Sequence, residues 1–190
     1  MDIPNSFAVI ALDVAHRDPT IVEAVDPFMS LVTYIQNSEA WEGACHALAA
    51  VMYLLFQERG IPATLCLGEA QLEDVVFDHS WVQIGEDVFD VAVSQTLLGP
   101  VEVGPTFRST DLSTGQPSRV AYGINSGQPR GRDASAVLST PFHRFMSRYP
   151  LHPEGLWGIT REVGNRIRME LQVAELKQKY GYDRTEWTLR

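Results

Sequence analysis

Three side chains able to run acyl chemistry occur in chain order: Cys45, His79 and Asp90. A cysteine attacks carbonyl carbon only as the thiolate, so it needs a base or an imidazolium partner at neutral pH. An imidazole does that work when a carboxylate on its other nitrogen fixes its tautomer and orientation. Cys45 stands in Gly43-Ala44-Cys45-His46-Ala47-Leu48-Ala49, two places after a glycine and at the start of an apolar helical pattern. The first turn of a helix offers unpaired backbone N–H groups and the positive end of the helix dipole, and both favour thiolate. The same N–H groups are donors for an oxyanion. The Cys45 N–H is the first candidate donor, with Gln36 or Trp41 as candidates for a second. Trp81 either walls the site or packs against the Cys45 helix.

The elements that position these residues follow from the pattern around them. The Cys45 helix runs to Gln57-Glu58-Arg59 and stops at Gly60-Ile61-Pro62, since proline cannot continue a helix and glycine tolerates the closing turn. It is apolar nearly all round, as a buried helix is. Asn37, Ser38 or Glu39 could cap its first turn. Ala63–Leu67, Val75–Ile84 and Val88–Val93 read as strands, with Gly85-Glu86 as the turn of a hairpin. In that register Ile84 faces Asp87 and His79 faces Ala92. Asp90 is then the diagonal neighbour of His79 on one face, whereas a one-residue slip would separate them. Asp90 in an apolar strand also demands a partner.

Upstream, 6–15 is a short apolar run that periodicity leaves open between strand and helix, and 21–36 reads as one helix or two with a break near Pro27. Residues 98–132 are rich in Gly, Pro, Ser and Thr and read as long loops with one short strand near 120–124. These loops are expected to supply much of the cleft beside Cys45. Residues 141–149 are amphipathic, 151–157 irregular, and 160–180 read as one helix, with a loosely held tail to Arg190. Cys66 reads as a core thiol and His46 as a structural residue facing away from Cys45.

Composition bounds the function. The 190 residues suit a single domain, 1–190, with a proper core. A net charge of −9 with no basic run argues against a nucleic-acid or anionic-membrane partner. The two cysteines form no C-x-x-C pair and no ligand pair has knuckle spacing, so neither a metal nor a cofactor is implied. Asp2 with no Lys or Arg before Arg17 lacks the basic start of a secretory signal, and the reading is cytoplasmic.

The order of Gly43-Ala44-Cys45 on a helix, Arg59-Gly60-Ile61-Pro62-Ala63, His79-Ser80-Trp81-Val82 on a strand and Asp90 on the next resembles the core of the transglutaminase-like superfamily, over Trp41–Thr96. That superfamily lies within the papain-like cysteine peptidase fold. The resemblance implies an α+β chain with the Cys45 helix packed on an antiparallel sheet and further helices from both flanks. It implies Cys45 as nucleophile, His79 as general base and acid, and Asp90 as the orienting carboxylate. Here Asp90 is followed by Val91-Ala92, where the family usually shows Asp-Pro. The expected activity is hydrolysis of a peptide or side-chain amide through a thioester. Acyl transfer to an amine and a non-catalytic protein-binding module are the alternatives.

Overall fold

The computed structural model describes residues 5–16, 18, 21–36, 41–95, 103–150 and 152–190. The order is α1 (Asn5–His16), α2 (Val22–Gln36), α3 (Cys45–Glu58), β1 (Thr64–Leu72), β2 (Val75–Ile84) and β3 (Asp87–Phe89). A 3-10 turn (Val93–Gln95), β4 (Thr106–Phe107), β5 (Thr110–Asp111), β6 (Gln116–Pro117) and β7 (Ala121–Ile124) follow. The chain closes with α4 (Arg132–Ser139), α5 (Phe142–Ser147), α6 (Gly155–Arg166), α7 (Val173–Tyr180) and β8 (Thr188–Leu189). The class is α+β. No described helix is long and apolar enough to cross a membrane.

The main sheet runs β3-β2-β1-β7, antiparallel throughout, with β8 added parallel to β1. The hairpin register is the expected one, Ile84 opposite Asp87 across Gly85-Glu86. Pairing stops at Phe89, however, and Asp90 leaves β2 to bridge Thr106 through N–H···O bonds of 2.8 and 2.7 Å. The strand expected over Val88–Val93 is therefore cut short, and β2 is uncovered by β3 from Trp81 back to Val75. β4, β5 and β6 make a small second sheet inside the segment expected to be loops. β7 is the short strand expected near 120–124.

α3 is the centre of the core. Every residue from Ala47 to Phe56 is buried, and the helix packs on β1, β2, α2 and α6. Gly60 closes it with a φ of 74°, a conformation that costs glycine little. Phe56, Phe89, Phe107 and Phe28 interlock edge to face at centroid distances of 5.0–5.5 Å along the chain Phe56–Phe89–Phe107–Phe28. Each such pair adds about 0.5–1.5 kcal/mol beyond its buried area. This cluster pins β3 and β4 to α2 and α3, and so fixes the backbone from which the Asp90 side chain projects.

Several expectations change. The apolar run over 6–15 is helical, as α1, and α2 is one helix that carries Pro27 within it. α3 begins only at Cys45, with Ala44 at the N-cap position and no side chain capping it. The candidate caps Asn37, Ser38 and Glu39 lie outside the described residues. The helix expected over 160–180 is two. Arg168 and Glu170 take φ of 60° and 53° between them, and the Asn165 side-chain oxygen accepts the Leu171 N–H at 2.8 Å, which closes the first piece. The segment over 151–157, expected to be irregular, already contains the start of α6 at Gly155. The tail is held, not loose. β8 pairs with β1, Arg190 N–H bonds Leu67 C=O at 3.1 Å, and Trp187 is buried.

Candidate active site

Cys45 is the first residue of α3, and the turn before it is fixed by Gly43 N–H to Gln95 C=O at 2.9 Å. That bond ties the turn before Cys45 to the segment just after Asp90. Successive residues of α3 then meet successive residues of β2. Cys45 and His79 line one cleft, with the His79 charge felt at the sulfur, and His46 Nδ1 lies 2.7 Å from Ser80 Oγ. Since His79 and Ser80 point to opposite faces of the sheet, the start of α3 lies at the edge of β2 that β3 leaves uncovered.

Asp90 completes the line. Its Oδ2 lies 2.6 Å from His79 Nε2 and accepts the Tyr122 hydroxyl at 2.9 Å. Its Oδ1 accepts the Ala92 and Val93 N–H groups at 2.8 and 3.2 Å. A carboxylate that is 1% exposed thereby receives four donors, which offset the cost of burying it. With Nε2 on Asp90, Nδ1 is the nitrogen of His79 left for Cys45.

The charges follow from these contacts. Burial pushes the Cys45 thiol up, but the His79 charge and hydrogen bonds from His46 and His79 outweigh it and bring the thiol down to about 5. Burial pushes His79 down, but the charges of Asp90 and Cys45 and their hydrogen bonds raise it to about 10. Both shifts favour a thiolate beside an imidazolium at neutral pH. Cys66 is the contrast. It is fully buried, its Sγ lies 3.3 Å from Gln83 Oε1, and burial raises its thiol.

Cys45, His46 and His79 line a cleft of about 290 Å³, with Phe77 and Asp78 on one side and residues 131–134 on another. Asp78 Oδ2 accepts the Gly131 N–H at 2.6 Å and holds the start of α4 there. The loop segment over 98–132 therefore contributes its last residues to the cleft, and α4 contributes the rest.

The other sequence candidates fall elsewhere. Trp41 is buried and stacked on Tyr149 at 5.5 Å, and it does not line the cleft. Gln36 lines a neighbouring depression of about 440 Å³ with Phe7 and Val32, which adjoins the cleft at Gln95. The glutamine that lines the Cys45 cleft is Gln95. Trp81 does not pack on α3. Alternation along β2 turns Ser80 and Val82 toward the helix, so Trp81 packs on the other face with Cys66, Val88 and Tyr122. His46, expected to be structural and to face away, lines the cleft with Cys45 and helps lower its thiol. Tyr122 carries no sequence signal of its role: it lies 32 positions from Asp90, in a loop-rich stretch with no local pattern to mark it.

A family model described as the transglutaminase-like superfamily matches residues 8–98, a span that includes Cys45, His79 and Asp90 and begins within α1. No curated protein and no solved structure matches the chain. It is over residues 8–98 that the chain is similar to the transglutaminase-like superfamily.

Proposed function

We propose that the protein is a thiol-dependent hydrolase acting on an amide or peptide bond of a peptide or protein substrate. Cys45 Sγ attacks the carbonyl carbon, and the oxyanion forms beside the uncapped first turn of α3, whose N–H groups are its donors. His79 carries the proton and gives it to the leaving amine as the C–N bond breaks, which leaves a Cys45 thioester. Water then attacks the thioester, His79 takes the water's proton, and the Cys45 thiolate leaves. Asp90 holds the His79 ring and its charge through both steps. Gln95 replaces Gln36 as the candidate for a second oxyanion donor.

The observation that carries this reading is the placement of His79 between Cys45 and a four-donor Asp90 at the wall of an open cleft. The test is to incubate the protein with a peptide library made from digested cell extract and to follow new ends by mass spectrometry. Cleavage that disappears in Cys45→Ala, with a hydroxylamine-sensitive adduct on Cys45, is expected. Product that forms only with an added amine would assign acyl transfer instead. Cleavage that persists in Cys45→Ala would overturn the assignment.

A further inference from the structure

We infer that His46 is a second imidazole on the nucleophile, holding the Cys45 sulfur alongside His79. This rests on the thiol reading above. The geometry carries it. Cys45 and His46 are consecutive, both line the cleft with His79, and His46 reaches Ser80, the next residue of β2. The His46 ring is anchored twice: Nδ1 lies 2.7 Å from the fully buried Ser80 Oγ, and the Trp187 ring meets it edge-on at 5.9 Å.

Ser80 has a hydroxyl that can donate into Nδ1. The proton of a neutral His46 then sits on Nε2, the nitrogen Ser80 does not hold, and Nε2–H can donate to the sulfur. The two imidazoles thereby divide the work. His79, paired with Asp90, moves protons. His46, whose anchor is a hydroxyl rather than a carboxylate, adds a second donor to the sulfur beside His79. Thioester breakdown regenerates a thiolate beside a His79 that has just taken the water's proton, and a second donor shares in stabilising it.

The experiment follows the pH dependence of iodoacetamide alkylation at Cys45, read by peptide mass spectrometry. Wild type is compared with His46→Phe, His46→Gln and Ser80→Ala, with folding checked by circular dichroism. Phe keeps a ring against Trp187 but has no donor, and the acid limb of the profile should move up by about 1 pH unit. Gln keeps an N–H donor and should restore part of that shift. Ser80→Ala should move the limb in the same direction by less. Acid limbs that coincide with wild type in the folded variants overturn the inference and leave the thiol reading intact. A wild-type Cys45 that shows no acid limb near pH 5 overturns both.

Discussion

Replacing Asp90 by Asn keeps the size of the side chain and removes its charge, and the structure says where the damage goes. Oδ1 accepts two backbone N–H groups, so that position must stay oxygen. The amide nitrogen then lands where Oδ2 receives His79 Nε2 and the Tyr122 hydroxyl. A donor facing Nε2–H forces His79 to its other tautomer, neutral, with its proton on the nitrogen facing Cys45. The imidazolium is lost, and the thiol returns from about 5 toward its ordinary 9.0. Burial pushes it higher and His46 draws it lower, so 9.0 serves as the reference.

At pH 5.5 the thiolate fraction then falls by roughly 2,000-fold, while the more basic thiolate is intrinsically faster by roughly 40- to 100-fold. The net loss in alkylation rate is on the order of 20- to 60-fold. Shape is the stronger signal. Wild type should be flat from just above pH 5 to about 10, whereas Asp90→Asn should climb about tenfold per pH unit toward 9.0. Stopped alkylation with mass detection at Cys45 reads both. A folded Asp90→Asn with the wild-type profile would refute the reasoning.

Three further outcomes are expected. Tyr122→Phe removes one of four donors to Asp90 and should cost about 0.5–1.5 kcal/mol in urea unfolding, with His79 still in place. An unchanged midpoint would deny that bond a role. The Cys45–His79 pair should also give stability a plateau in pH. Cys45, lowered from 9.0, contributes stability that is lost as pH falls through about 5. His79, raised from 6.5, contributes stability that is lost as pH rises through about 10. The unfolded pair binds more protons between pH 5 and 6.5 and fewer between 9 and 10, so unfolding free energy should rise by about 2 kcal/mol across the first window and fall by about 1 across the second. A monotonic profile from this pair would contradict it. Trp187→Ala should destabilise by about 3–5 kcal/mol and slow alkylation at Cys45, because Trp187 is buried against both Phe145 and His46. A neutral effect on unfolding would mean that the tail does not contribute to the core.

The parts legible in the sequence are those set by local rules. The start of α3 near a cysteine, its end at Gly60, and the Gly85-Glu86 turn follow from helix-stop and hairpin chemistry, and the turn sets the register that brings β3, and Asp90 just after it, back along β2. What is not legible is set by contacts between distant segments. Tyr122 reaches Asp90 from β7, and Trp187 reaches His46 from beside β8. The side of β2 on which Trp81 packs depends on which face α3 covers, and the alternation of β2 leaves that open. His46 reads as structural for a related reason. Helical spacing separates neighbours by about 100° around the axis, yet at the first turn both can meet one strand edge. The break of α6 from α7 lies in backbone at positive φ on Arg168 and Glu170, residue types that carry no turn signal.

A thiolate at Cys45, held by His79 at neutral pH, underlies both the proposed chemistry and the role given to His46. Its most direct measurement is the far-ultraviolet thiolate absorbance of the wild-type protein, titrated with pH and corrected by subtracting Cys45→Ala. A midpoint near 5 is expected. A midpoint at or above the ordinary 9.0 would contradict it.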